Sequence, residues 1–298
     1  MDIQSYIATE RSEGASIREA VGRPSIAKAG CLSKYRERQR AIMPTYRAEG
    51  IVIKRTNYSE ADRIVTVFTK NRGKIAVIAK GARKPTSRKG GHLEILSHSI
   101  FSLAEGKNLD IITEAETVTP FQKLRDSLEK IGLGYYMAEF VNEFVPEGQA
   151  HYSLFRLFLM ALSLLDDADT DHESLLVRSF ELKALHQLGF APEVRRCVIC
   201  GRPLTWASEN GFSPEDGGVT CRHCRRERGF LLRQSTLKLL RDLMVWPWSK
   251  VSRIDVGERP VGEIENLNRA YVEFILEKRL KSTNLLEKIR SNAFGVRG

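Results

Sequence analysis

Two Cys-x-x-Cys pairs, Cys197-Val198-Ile199-Cys200 and Cys221-Arg222-His223-Cys224, are separated by 20 residues, and no other feature narrows the possible folds as much. Thiolates are soft ligands that lose their protons on binding, and four of them close a tetrahedron with no position left for water. Such a spacing predicts a structural zinc ribbon rather than a hydrolytic centre. Gly201, the Pro203-Leu204 step and Gly211 supply the tight turns that the module requires. The competing reading is a thiol-disulfide oxidoreductase. It needs its Cys-x-x-Cys at a helix start in a βαβ unit, and none is apparent. His223 stands as an alternative ligand or as a surface residue of the second knuckle. The fifth cysteine, Cys31, reads as inert.

The compartment matters to that argument. The start, MDIQSYIATERSEG, lacks the basic opening and apolar core of a secretory signal, so the chain reads as cytoplasmic, where disulfides are rare. No run approaches the roughly 18 apolar residues of a membrane span. The chain carries 47 Lys+Arg against 37 Asp+Glu, net +10, and this surface field favours a polyanion, with nucleic acid the leading partner class.

Residues 1–43 show no sustained periodicity and end in the basic run KYRERQR. They read as a disordered extension or as a mis-set start ahead of Met43, the other reading being a basic arm that adds phosphate contacts. From Tyr46 the texture changes to strands. AEGIVIKRTNY, RIVTVFT, KIAVIAKG, SHSIFSLAE and LDIITEAETV are β-branched runs cut by turn residues, with Gly73 and the Glu105-Gly106-Lys107 step as hairpin signals. Five such strands without intervening helices predict an oligonucleotide-binding (OB) barrel over residues 44–120.

From Phe121 the period becomes helical. FQKLRDSLEKIGLGYYMAEFVNEFV places Leu124, Leu128, Ile131, Tyr135, Phe140 and Phe144 near one face. A second helix covers 151–165. A third follows Thr170 and Glu173 at capping-box spacing and stops at Gly189 and Pro192. The helical pattern resumes at Ser235, read as an N-cap. The expected fold class is therefore α+β: an N-terminal OB-fold β-barrel, then an all-α helical bundle over 121–298 with the four-cysteine zinc-binding module, at 195–230, embedded in it.

The densest cation cluster, AKGARKPTSRKGG, places Lys80, Arg83, Lys84, Arg88 and Lys89 between two barrel hairpins with no carboxylate before Glu94. Its glycines let backbone amides approach phosphates. Arg55, Arg63 and Lys74 extend the track, together with Lys54 and Arg72, and Tyr58 and Phe68 are the nearest candidates for base stacking, Phe68 reading rather as core. A second patch surrounds the knuckles: Arg195, Arg196, Arg202, Arg222, Arg225, Arg226 and Arg228. It reads equally as phosphate contact or as ordinary carbonyl and carboxylate pairing. Phosphate loops, dinucleotide fingerprints, HExxH and GxSxG are missing, which lowers the expectation of an enzyme. Asp166-Asp167 reads as a solvated helix end.

The order strand-ADRIV-strand-TKNRG-strand-KGARKP, then LRDSLEKIGLGYYMAEFVNEF, then ELKALHQLGFAPEVRRCVIC with CRHC, resembles the RecO recombination-mediator family of bacterial DNA repair from about Tyr46 to Leu280. The resemblance implies a non-enzymatic protein of the RecF pathway, associated with the nucleoid. It implies binding of single- and double-stranded DNA, annealing of complementary strands, assembly with RecR, and help in loading RecA onto DNA coated by single-strand DNA-binding protein. Carried onto this chain, it assigns Cys197, Cys200, Cys221 and Cys224 to zinc. It assigns Arg55, Arg63, Lys74 and the Lys80–Lys89 loop to DNA. The acidic, apolar tail of single-strand DNA-binding protein is expected on the helical domain near Arg125, Arg156, Lys183 or Lys238. Some family members lack the cysteine quartet, so zinc is expected to be structural. A zinc-ribbon transcription or RNA-binding factor, gripping nucleic acid through its arginines, is the alternative.

Overall fold

A computed structural model describes residues 44–87, 89–168, 172–205, 209–225 and 229–295. Residues 1–43, with Cys31, and Arg88, Thr170, Arg226 and Arg228 lie outside the described residues. Strands β1 (Thr45–Asn57), β2 (Arg63–Thr69), β3 (Gly73–Ala79), β4 (His98–Ala104) and β5 (Asp110–Thr119) close into a barrel in the order β1-β2-β3-β5-β4. The β4–β1 pairing is antiparallel, and a short parallel contact, Val77↔Asp110 and Ile78↔Ile111, seals β3 to β5. This is the OB arrangement expected from the strand pattern.

The barrel interior is small and aliphatic, with Val52, Val65, Val67, Val77, Phe101, Leu103 and Ile112 all buried. Alternation would send Ile51, Ile53 and Phe68 outward to water, yet they are equally buried, in the core of the helical part. The consecutive run Ile51-Val52-Ile53 is thus the mark of a strand covered on both faces, one by the barrel and one by the bundle. A register shift between Val52 and Lys54 re-aims the strand there. At the other end of the β2–β3 hairpin, Gly73 has φ +68°, and a Cβ on it would stand 2.0 Å from the Gln149 carbonyl oxygen. Only glycine satisfies both demands.

The helical part contains α1 (Gln122–Asp126), α2 (Leu128–Phe144), α3 (Tyr152–Asp167), α4 (Glu173–Gln187), α5 (Gln234–Val245), the short α6 (Trp248–Val251), α7 (Glu258–Leu276) and α8 (Lys281–Gly295). Three local expectations need correction. The first helix is broken at Ser127, which leaves helical geometry and accepts a hydrogen bond from the Lys130 N–H at 3.3 Å. It is a side-chain cap that periodicity does not sense. The break turns Leu128 out to 67% exposure, and the buried face runs through Leu133, Tyr136, Met137, Phe140 and Val141. Helix α4 begins at Glu173 with His172 in the cap position, so Glu173 is the first helical residue and its side chain is buried. Helix α5 is preceded by Arg233, which places Ser235 inside the first turn rather than at the cap.

Between α4 and α5 the chain makes the cysteine module, with a three-stranded sheet of β6 (Asn210–Ser213), β7 (Gly218–Thr220) and β8 (Phe230–Leu232) in the order β7-β6-β8. Phe212 and Val219 are fully buried in the bundle's own core, Phe212 meeting Tyr271 of α7 edge to face at 5.6 Å. Arg241 Nε of α5 donates to the Val194 carbonyl at 2.8 Å. The module extends the bundle's core instead of forming a separate one. Among the described residues, no helix is long and apolar enough to cross a membrane.

Candidate metal centre and nucleic-acid interface

The two knuckles are built by backbone hydrogen bonds before any metal is considered. In the first, the Cys197 N–H donates to the Arg202 carbonyl and the Gly201 N–H to the Cys197 carbonyl, both at 2.8 Å. In the second, the N–H groups of Cys224 and Arg225 both donate to the Cys221 carbonyl. The result brings all four Sγ atoms within 4.8 Å of one another. Cys200 Sγ and Cys221 Sγ are 3.8 Å apart. Metal–sulfur bonds of about 2.3 Å in a regular tetrahedron place sulfurs about 3.8 Å apart, so a quartet gathered within 4.8 Å is close to the spacing of a closed four-thiolate centre. Burial pushes the Cys197 thiol up, but N–H donors from Cys221, Cys200 and Ile199 outweigh it and bring the group down to about 6. The hydrogen bonds from Cys200 and Cys221 push Cys224 up to about 12. His223 is exposed and is not part of this quartet.

The barrel cations separate into two groups. The loop after β3 is stitched to the β1–β2 loop by three bonds: Arg83 N–H to the Ala61 carbonyl at 3.0 Å, Gly81 N–H to Asp62 Oδ1 at 2.8 Å, and Arg83 Nη1 to the Ser59 carbonyl at 2.6 Å. These join two loops into one surface that displays Lys80, Arg83 and Lys84, all exposed, beside Tyr58 at 63% exposure. The Asp62 carboxylate is consumed inside the joint, which leaves Glu60 as the acid of that loop. Sequence reasoning does not single out Asp62. Its signal is the Asx habit of accepting backbone N–H groups in turns.

The other sequence-selected cations point elsewhere. Arg55 pairs with Glu94. Lys74 Nζ donates to the Asn142 carbonyl at 2.6 Å, and burial lowers its pKa. Lys89 Nζ donates to the Ile112 carbonyl at 2.8 Å. Arg63 lies half-buried on β2 opposite Ala79, its Nε without a partner. The structure thus gathers Lys80, Arg83 and Lys84 into one patch and uses Arg55, Lys74 and Lys89 to hold the barrel and its junction. Arg72 stacks on the Tyr46 ring at 3.9 Å, and burial together with the Asp110 bond pushes the Tyr46 hydroxyl up to about 12.

Around the knuckles, Arg195, Arg196, Arg202, Arg222 and Arg225 are all exposed. Arg225 reaches Glu209 at 3.7 Å, and Arg196 Nη1 approaches the Gly201 carbonyl at 3.4 Å. Of the four cations considered for an acidic tail, Arg125 is committed to the Pro120 and Ile95 carbonyls and Lys183 to those of Leu243 and Trp246. Arg156 and Lys238 are exposed. Asp166 and Asp167 are more than a solvated end: Asp166 accepts the Leu124 N–H at 2.6 Å, and Asp167 pairs with Lys123 at 2.7 Å.

Comparison with known proteins divides the chain at the same place, between the barrel and the helical part. Residues 43–121 match the model for the recombination protein O N-terminal region, and residues 125–284 match that for its C-terminal region. A DNA repair protein RecO of Dehalococcoides mccartyi is 36% identical over 246 residues, 82% of this chain and 96% of its own length. A RecO of Desulforamulus reducens is 32% identical over 255 residues, covering 85% of this chain and 98% of the relative. For that of Roseiflexus sp. the figures are 38% over 248 residues, 82% and 86%. Both matched regions span the barrel and the helical part with its cysteine quartet, and the chain belongs to the RecO family of DNA repair proteins.

Proposed function

We propose that this protein is a non-enzymatic mediator of DNA repair and recombination that grips single- and double-stranded DNA through the barrel and anneals complementary strands. With RecR it helps RecA onto DNA coated by single-strand DNA-binding protein, in the cytoplasm at the nucleoid. The observation that carries the reading is the stitched double loop, where Lys80, Arg83 and Lys84 converge beside an exposed Tyr58. Cations on a rigid loop neutralise phosphates, and an aromatic ring beside them accepts a base regardless of sequence. Annealing then needs no catalytic group: two strands whose charges are neutralised on one surface meet, and base pairing supplies recognition. The working division is a DNA-binding domain at 44–120 and a partner-binding helical domain at 121–298. In the latter, Arg156 and Lys238, exposed and not tied to backbone carbonyls as Arg125 and Lys183 are, are the better candidates for the acidic tail.

The cysteine quartet is assigned to one structural Zn2+, held by Cys197, Cys200, Cys221 and Cys224. Bound there, the ion ties the two knuckles together and needs no open coordination position. The alternative, in which the knuckle arginines are the principal nucleic-acid contact, is favoured by the exposure of Arg195, Arg202 and Arg222. Charge reversal separates the two. Lys80→Glu/Arg83→Glu/Lys84→Glu is expected to abolish single-strand binding and annealing, while Arg222→Glu/Arg225→Glu leaves most of both. The reverse pattern, with both variants folded, would move the site to the knuckles.

A further inference from the structure

The segment from Val245 to Val256, which leaves α5 and enters α7, carries a tryptophan pair at the edge of the core, both rings packed against it on one side. Trp246 and Trp248 flank Pro247, and both rings are half-buried. Pro247 is exposed and turns the chain, its carbonyl accepting the N–H groups of Lys250 and Val251. The rings are held by cations. Lys250 Nζ lies 3.8 Å over the Trp246 ring, and Lys183 Nζ, fixed by the Leu243 and Trp246 carbonyls, sits 5.1 Å from the Trp248 ring centre. The Trp246 face is covered by the Lys250 head, which among the described residues has no hydrogen bond of its own to hold it there, whereas Lys183 is fixed over Trp248.

Most arginines on and beside the neighbouring helices are paired. Arg233, Arg259, Arg269, Lys278, Arg279 and Arg290 each have a glutamate within ion-pair reach. Lys250 and Arg253 are exposed and, among the described residues, have no carboxylate partner. Of the nearby acids, Asp255 accepts the Gly257 N–H at 3.1 Å, and Asp242 stands half-buried in the last turn of α5. A lysine on the Trp246 face and an exposed arginine three residues on match a chain of alternating phosphates and flat bases better than they match an apolar peptide, which has no use for the charges.

We propose that Trp246 and Trp248, with Lys250 and Arg253, form a second single-strand contact surface on the helical part, the rings stacking on bases and the cations pairing phosphates. Lys250 need only swing from the ring face to the ring edge to let a base in. The inference rests on the single-strand binding put forward above, and it places a contact site well outside the barrel loop. Stacking of this kind is tolerant of sequence, so the surface selects unpaired bases rather than a motif.

The chain has three tryptophans, so Trp206→Phe leaves Trp246 and Trp248 as the only tryptophan emitters. The experiment titrates that protein with a fluorescein-labelled oligo-dT, following probe anisotropy for affinity and tryptophan emission for the patch. The expected result is saturable quenching with the same midpoint as the anisotropy change, and a loss of affinity of about five-fold or more in Trp246→Leu. The surface variant Lys250→Glu/Arg253→Glu, which leaves the rings in place, is expected to weaken binding with an unchanged melting temperature, so the idea does not depend on a tryptophan replacement folding. Unaltered emission at saturating oligonucleotide, or unchanged affinity in Lys250→Glu/Arg253→Glu, would overturn it. Lys80→Ala/Arg83→Ala/Lys84→Ala in the same background separates the two readings. If only the barrel variant binds poorly, the tryptophan surface fails and the barrel stands. If the barrel variant binds as the parent does while emission is quenched, the barrel fails and the tryptophan surface stands.

Discussion

Replacing Lys80, Arg83 and Lys84 together by alanine changes an electrostatic slope that can be worked from the loop's geometry. All three side chains are exposed. Lys80 and Lys84 have no carboxylate partner among the described residues, and Arg83 spends one N–H on the Ser59 carbonyl while keeping its charge. Each phosphate neutralised on single-stranded DNA contributes about −0.7 to the slope of log K against log salt. Removing three contacts should therefore make the slope shallower by about 2. Between about 50 and 200 mM salt, a four-fold change, the parent should lose roughly 18-fold more affinity than the triple variant, since four raised to 2.1 is about 18. Anisotropy titrations of a labelled oligo-dT at five or six salt concentrations give both slopes. Circular dichroism checks that the loop, held by the Arg83 and Gly81 backbone bonds, keeps its place. If affinity falls at every salt concentration but the slope stays that of the parent, the three cations act on the fold and not on phosphate, and the reasoning is wrong.

Other perturbations read different parts of the molecule. Cys200→Ser should release the metal and lower the melting temperature by about 4 °C or more, because the knuckles that close over Phe212 and Val219 lose their tie; unchanged metal content by mass spectrometry would contradict this. Glu173, 1% exposed, with neither carboxylate oxygen hydrogen-bonded and Lys130 Nζ 4.0 Å from Oε1, is pushed from 4.5 to about 7 by burial and then by Glu129, Lys130 opposing. A raised carboxylate pKa means that the folded state holds the proton more tightly, so its penalty is absent below about pH 4.5 and grows as pH rises through 7, reaching about 3 kcal/mol. Glu173→Gln should accordingly stabilise the protein at pH 8 and not at pH 4.5, and urea melts showing one pH-independent difference would dismiss the assignment. Gly73→Ala places a methyl group 2.0 Å from the Gln149 oxygen at φ +68° and should cost about 2 to 3 kcal/mol in the same assay.

Strands, helices and metal knuckles are legible in the sequence for separable reasons. A half-buried strand advertises itself through β-branched residues cut by turns, and four cysteines in two Cys-x-x-Cys pairs at knuckle spacing have few uses besides holding a metal. What the one-dimensional pattern misses is decided by partners distant in the chain or by single side-chain caps. Ser127 ends one helix and starts the next with a hydroxyl, and the apolar period around it does not change, so Leu128 reads as core. The cations show the same limit more sharply. Lys74, Lys89 and Arg55 have the composition of a phosphate track, but their heads meet groups 68, 23 and 39 residues away in the chain. A charge in a string of letters has a sign but no direction.

That direction comes from how the barrel is mounted. Strand β3 starts at Gly73, where the Gly148 N–H donates to the Lys74 carbonyl at 2.9 Å and Lys74 Nζ reaches Asn142, so its first residues are clamped to the helical part. Its last residue, Ala79, leads directly into Lys80 and the stitched loop. Six steps of about 3.3 Å separate the two ends by roughly 20 Å. Ile51, Ile53 and Phe68, buried in the helical core, keep that strut from rocking. A loop fixed this way presents its cations at a constant offset from the bundle, as the proposed DNA contact requires. The two ends of β3 should then be separable by mutation. Changes at Gly73 lower stability and leave the salt slope of the folded protein intact, whereas changes at Lys80, Arg83 and Lys84 flatten the slope and leave stability intact. A variant at either end that moved both quantities would mean that the strand does not act as a rigid spacer.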